Sequence, residues 1–114
     1  MHAPREYLEF VYTKSFVSTA KGLLSDDDLR VLEQTLIENP RAGTVERGTG
    51  GVRKVRVGLE GRGKSGGARV VYFYREARGR IYLLLAYPKN EKASLTEAEK
   101  NTLAKLTKTL EAEP

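Results

Sequence analysis

Residues Tyr7 to Tyr12 alternate in a period of two, with Leu8, Phe10 and Tyr12 on one side and Tyr7, Glu9 and Val11 on the other, which predicts a strand with one apolar face. From Lys14 the spacing changes: Phe16, Val17, Ala20, Leu23 and Leu24 recur every three or four residues, so an amphipathic helix is expected, ending around Gly22 to Leu24. Ser25 restarts the helical pattern as an N-cap. Asp26, Asp27 and Asp28 then fill a first turn where the helix dipole favours anions, Leu29, Leu32, Leu36 and Ile37 form the expected buried stripe, and Asn39-Pro40 stops the helix.

A Gly-rich connection from Arg41 to Gly51 leads into Val52, Val55 and Val57. A second Gly-rich loop precedes Ala68 to Arg75, and Ala77 to Arg80 turns the chain into the nearly all-apolar run Ile81 to Tyr87. Three consecutive strands of this kind predict an antiparallel meander. Ser94 and Glu97 have capping-box spacing before Leu95, Ala98, Leu103, Leu106 and Leu110, so a C-terminal helix closes the pattern. The order β-α-α-β-β-β-α implies an α+β fold, a small antiparallel sheet with helices packed on one face. At 114 residues the chain is expected to be a single domain, residues 1–114.

Charge sharpens this picture. The segment Arg41 to Arg80 holds eleven of the twenty Lys and Arg residues and three acids, Glu46, Glu60 and Glu76, for a net +8; the rest of the chain is net −3. Cations mounted on a sheet and its loops suit a polyanion. The absence of cysteine excludes disulfide scaffolds and thiolate metal sites. Neither a signal-peptide pattern nor a membrane-spanning run is legible, so a cytoplasmic protein without membrane association is expected.

Gly58 to Ser65 fits the phosphate-loop pattern G-x-x-x-x-G-K-S, but that mechanism needs a helix starting at the Lys-Ser pair, and a strand is expected there instead. The stronger signal is the group Arg53, Lys54, Arg56, Arg62, Lys64 and Arg69. Strand alternation places Lys54 and Arg56 together on one face and Val55 and Val57 on the other. Like charges side by side weaken strand pairing, which is better tolerated where an anion binds between them. Tyr72, Tyr74, Tyr82 and Tyr87 add aromatic surface, and basic groups interleaved with aromatics suit single-stranded RNA. Lys89 and Asn90 end the last strand, where they either lean over the sheet or simply form a turn. His2 is the only histidine and lies near the N-terminus, which removes a His-pair ribonuclease mechanism and makes an imidazole metal site unattractive. Asp26 to Asp28 are explained by helix capping, so no metal and no cofactor are expected.

Three blocks, GGVRKVR at 50–56, GRGKSGGARVVYFY at 61–74 and LLAYPKNEK at 84–92, make the chain resemble RelE/HigB-type toxins of bacterial type II toxin–antitoxin modules, in particular the HigB-like branch. The resemblance runs from about the first strand to the final helix. It implies a RelE-like fold and a metal-independent endoribonuclease (mRNA interferase) that enters the 30S A site, among rRNA, and cleaves mRNA on the ribosome, inhibiting translation. It also implies a cognate antitoxin with a helix-turn-helix DNA-binding domain. By position, Lys54, Arg56 and Arg69 match the family's catalytic basic residues, Lys89 its late-strand basic residue, and Arg62 and Lys64 the branch's extra loop cations. Arg53 and Tyr87 complete the expected RNA-binding and ribosome-binding set. The family's tyrosine beyond that last cation has no counterpart in NEKASL at 90–95, which leaves Tyr87 as the nearest candidate.

The chemistry is arguable without histidine. RNA cuts itself once its 2′-OH is deprotonated and aligned with the neighbouring phosphorus, so the protein must hold that geometry and neutralise the charge growing on the phosphate. Arg69 is expected on the scissile phosphate, Lys54 in proton transfer through its crowding by other cations, and Arg56 with Lys89 in charge stabilisation, giving a 2′,3′-cyclic phosphate and a 5′-hydroxyl. Two other readings stand beside this one: a ParE-type toxin that poisons gyrase without catalysis, and an RNA-binding or ribosome-binding module that does not cleave.

Overall fold

The computed structural model describes residues 8–59, 63–91 and 94–114, with backbone only for 63–66. Strand β1 (Glu9–Tyr12) leads into α1 (Lys14–Ala20), whose N-cap Thr13 accepts the Phe16 N–H through its hydroxyl. Ser25 caps α2 (Asp26–Glu38) as its sequence suggests: its hydroxyl accepts the Asp28 N–H at 3.0 Å, and the Asp28 carboxylate accepts the Ser25 N–H at 3.0 Å. Of the expected stripe, Leu32 and Leu36 are buried, whereas Ile37 stands 46% exposed. The other buried residue of the helix is the capping Asp28.

The sheet runs in the order β1-β5-β4-β3-β2, built from β2 (Thr44–Val45), β3 (Arg53–Leu59), β4 (Gly63–Arg75) and β5 (Arg80–Pro88), with a 3-10 turn at Glu76–Arg78 between the last two. The meander β3-β4-β5 is antiparallel as expected. The sheet as a whole is mixed, because β1 pairs with β5 in parallel, and β2 was hidden in the Gly-rich connection. The second Gly-rich segment is largely strand: β3 reaches Leu59 and β4 starts at Gly63, so no helix follows the Lys64-Ser65 pair. Helix α3 (Glu97–Ala112) starts from Thr96 and Glu99, a capping box two residues later than the Ser94–Glu97 spacing proposes.

Helices cover both faces of the sheet, which corrects the expected one-sided packing. Phe16, Ala20, Leu24, Leu32 and Leu36 from α1, α2 and their junction pack with Val55, Val57, Val70, Tyr72, Ile81 and Leu83. On the opposite face Leu103 and Leu110 of α3, preceded by Leu95, pack with Val71, Phe73, Tyr82, Leu84 and Tyr87. A sheet with two apolar faces must cover both, and the near-continuous apolar run of β5 is the sequence signature of that burial. Two polar ties fix the connections around the site. The buried Tyr72 hydroxyl donates to the carbonyls of Pro40 (2.9 Å) and Ala42 (2.7 Å), holding the α2–β2 connection on the sheet. Buried Thr49 donates to the Glu46 carbonyl and accepts the Val52 N–H, while Thr107 of α3 donates to the Thr49 carbonyl at 3.0 Å.

Candidate active site

Alternation along β3 sends Val55, Val57 and Leu59 into the α1/α2 core and leaves Lys54 and Arg56 on the opposite face. On β4, Ala68, Val70 and Tyr72 join that same core, while Val71 and Phe73 face α3, so Arg69 falls on the face of Lys54 and Arg56. The ladder places Arg56 directly opposite Arg69, and Arg69 directly opposite Tyr87. A row Arg56-Arg69-Tyr87 therefore crosses three strands, with Lys54 two residues along β3.

Tyr87 reaches this row because of a bulge. Val71 pairs with Leu85 and Tyr72 with Leu83, leaving Leu84 as an extra residue in β5. Strict alternation would send Tyr87 to the side of Ile81 and Leu83. The extra residue reverses the parity, so Ala86 enters the α1/α2 core and Tyr87 faces α3.

At the sheet edge, Thr44 of β2 pairs with Lys54, and a cavity of about 520 Å³ opens among Gly43, Thr44, Lys54, Val55, Arg56 and Arg69. Gly43 has φ +78, and a Cβ there would collide with the Lys54 carbonyl, so a side chain at this position would push β2 away from the cavity. The Lys54 ammonium lies 3.6 Å from the Glu46 carboxylate, and their side chains are only 18% and 12% exposed. Glu46 is fixed by its own N–H donating to the Val52 carbonyl at 2.8 Å and by Thr49 beneath it. The expected crowding of Lys54 by cations is thus offset by a carboxylate that sequence reasoning had left unassigned. Its signal was available: Glu46 is one of only three acids in the cationic stretch.

The Tyr87 phenol is pushed up by burial, further by Glu46 and Glu99, with Arg69 pulling in the other direction. It is neutral at physiological pH and 7% exposed, so it can act as a hydrogen-bond donor but not as a base. Glu99 reaches this neighbourhood from the first turn of α3.

Other candidates fall elsewhere. Arg53, at the start of β3, donates to the Arg41 carbonyl at 2.8 Å and is turned away from the row. Exposed Lys89 extends the β4–β5 pairing by one residue, its N–H donating to the Gly67 carbonyl at 3.0 Å. Lys64 lies in β4, and Arg62 and His2 lie outside the described residues. The expected tyrosine stacking surface is not offered: Tyr72 and Tyr82 are core residues, and Tyr74 is covered by the Arg41 guanidinium, 5.6 Å from its ring centroid. Among the described residues no group of three or more His, Cys, Asp or Glu side chains could hold a metal ion, and no helix is long and apolar enough to cross a membrane. Within the acidic run at the α2 start, Asp28 caps the helix and Asp27 pairs with Arg30.

A family model described as the RelE toxin of the RelE / RelB toxin-antitoxin system matches residues 10–113. Among solved structures, the free state of a double arginine-to-alanine mutant of the E. coli toxin RelE superposes with a TM-score of 0.54 at 14% identity, covering 89% of this chain and 96% of that one. At that identity the likeness speaks for the fold, an α+β sheet with flanking helices.

Proposed function

The chain belongs to the RelE toxin family, and from that premise we propose that it is the toxin of a toxin–antitoxin system acting as a ribosome-dependent mRNA endoribonuclease. The observation that carries this reading is the opposed pair Arg56 and Arg69 beside Lys54, three cations around one cavity at the sheet edge. Two guanidiniums facing each other across a ladder repel unless an anion lies between them, and each can fork two phosphate oxygens. Arg69 and Arg56 hold the scissile phosphate and neutralise the charge that develops on it.

Cleavage moves one proton off the 2′-OH as its oxygen bonds to phosphorus, and one proton onto the departing 5′-oxygen. The Glu46–Lys54 pair offers an acceptor carboxylate and a donor ammonium side by side, so proton transfer is assigned to this pair rather than to Lys54 alone. Neutral Tyr87, directly opposite Arg69, flanks the row, and Lys89, two residues further along the chain, supports the leaving group. The products are a 2′,3′-cyclic phosphate and a 5′-hydroxyl. With no strong free base, the catalyst depends on imposed substrate geometry, which supports a requirement for mRNA held in the 30S A site. A cognate antitoxin, in this reading one with a helix-turn-helix domain, completes the system.

Primer extension on cellular mRNAs after brief induction tests the proposal. Cuts within translated regions, in phase with codons and absent from untranslated ones, are expected. Intact mRNA accompanied by gyrase-linked DNA breaks points to a gyrase poison instead, and growth arrest with neither lesion points to a ribosome-binding module.

A further inference from the structure

A second cavity, also about 520 Å³, lies at the far end of β3 and is lined by Arg41, Arg53, Phe73, Arg75, Glu76 and Glu111, among others. It exists because β4 outruns β3. The first residue of β3, Arg53, pairs with Tyr72, so Phe73, Tyr74 and Arg75 have no register partner on that side. Three residues of β4 therefore present a free edge in line with β3.

Arg75 stands at the end of this edge. One guanidinium nitrogen donates to the Glu111 carbonyl at 2.8 Å, while the other, Nη1, is buried without a hydrogen-bond partner. A buried cationic donor left unsatisfied is costly, of the order of ~1–3 kcal/mol or more. The lining charges do not cancel: Arg41, Arg53 and Arg75 against Glu76 and Glu111 leave one positive charge in excess. One monoanionic group balances the site.

We propose that this notch binds an extended polypeptide segment, which adds to the free edge of β4 in line with β3 and places one carboxylate among the arginines that line the notch. Three observations favour a peptide over RNA. The free edge offers backbone hydrogen bonds that a peptide uses and a nucleotide does not. Glu76 is already paired with Arg41, so the single positive charge left over among the lining residues matches one carboxylate rather than a chain of phosphates. Tyr74 is already covered by Arg41, and Phe73 is buried, so neither offers a face to a base. Val45 of β2, 50% exposed at the rim, gives an apolar peptide side chain a surface to cover. This site is separate from the Arg56-Arg69 row and does not depend on the cleavage reading.

The test is an NMR titration of the isotopically labelled protein with a capped Thr-Val-Glu-Val-Thr-Val peptide, with the same peptide carrying Gln for Glu, and with a uridine hexanucleotide. The Glu peptide is expected to shift the backbone amides of Phe73, Tyr74 and Arg75 and the guanidinium signals of Arg53 and Arg75. It should bind at least about ten-fold more tightly than the Gln peptide. Arg53→Gln, which leaves Arg75 in place, should weaken the Glu peptide while Arg56→Gln should not. Equal binding of the two peptides, shifts confined to Lys54, Arg56 and Arg69, or no shift at millimolar peptide overturns the proposal. Stronger shifts of the notch by the hexanucleotide than by the Glu peptide also overturn it, and identify a phosphate subsite instead.

Discussion

Arg56 on β3 and Arg69 on β4 are direct cross-strand partners, two guanidiniums opposed on one face of the sheet. Their pairing does nothing for the fold, because like charges directly opposite destabilise a ladder by a few tenths of a kcal/mol, roughly. Arg69→Ala is therefore expected to leave the melting temperature unchanged or slightly raised while lowering ribosome-dependent cleavage by about 10²–10³-fold, the usual scale for losing one donor to a developing oxyanion. Growth arrest should disappear with it. Full toxicity of the variant at equal soluble expression would remove the row from the active site.

The Glu46–Lys54 pair makes a separable claim. Glu46→Gln keeps the shape of the side chain and the backbone bond to Val52. If the pair moves protons, single-turnover cleavage on the ribosome should fall by about 10²-fold or more while ribosome affinity stays within a few-fold. A variant that loses thermal stability but cleaves at the original rate would make Glu46 a purely structural partner of Lys54.

Periodicity read the helices, the meander and the shared face of Lys54 and Arg56 correctly, because each depends on neighbours close in sequence. What it missed depends on pairing. The Leu84 bulge that turns Tyr87 towards Arg69 leaves no mark in an unbroken apolar run, and β2 is two residues long with a glycine before it. The parallel docking of β1 on β5 joins segments some seventy residues apart, which local pattern cannot specify. Glu46 reads as a loop acid until the Thr49 turn folds it over Lys54. The start of α3 was misplaced by two residues because Ser94–Glu97 and Thr96–Glu99 both carry the capping-box spacing and the chain uses the second.

Tyr72 links stability to pH. Its phenol is pushed up to about 12 by burial, slightly opposed by Arg53, and its hydroxyl serves two carbonyls of the α2–β2 connection. Below about pH 10 the group is neutral in both folded and unfolded chains, so its contribution is fully present. As pH rises from about 10 towards 12 the unfolded chain releases the proton first, and stability falls by about 2 kcal/mol in total from this residue. Tyr72→Phe is expected to cost roughly 1–3 kcal/mol at neutral pH, because Pro40 and Ala42 lose their donor. Urea unfolding at a series of alkaline pH values should also show a shallower decline for the variant. An unchanged alkaline slope would mean that Tyr72 titrates in the folded protein as it does in water.

Salt dependence locates the RNA footprint. If the sheet-edge row holds RNA through several phosphates, log affinity for a single-stranded oligonucleotide should fall linearly with log salt, by about 0.7 per phosphate contact. Replacing Arg56 and Arg69 together by Gln should lower that slope by roughly one to two units, and so should replacing Arg62 and Lys64, if these two cations track the same RNA strand. The control pair has to be chosen with care. Helix α3 lies on the same face of the sheet, and its first turn brings Glu99 close enough to act on Tyr87, so Lys100 is too near the site to serve as a remote cation. Lys105 and Lys108 are exposed further along the helix and are the appropriate reference. Their joint replacement by Gln is expected to leave the slope and the affinity nearly unchanged. A loss of slope from the α3 pair equal to that from Arg56 and Arg69 would move the footprint off the sheet edge and onto the helix, and the active-site assignment would go with it.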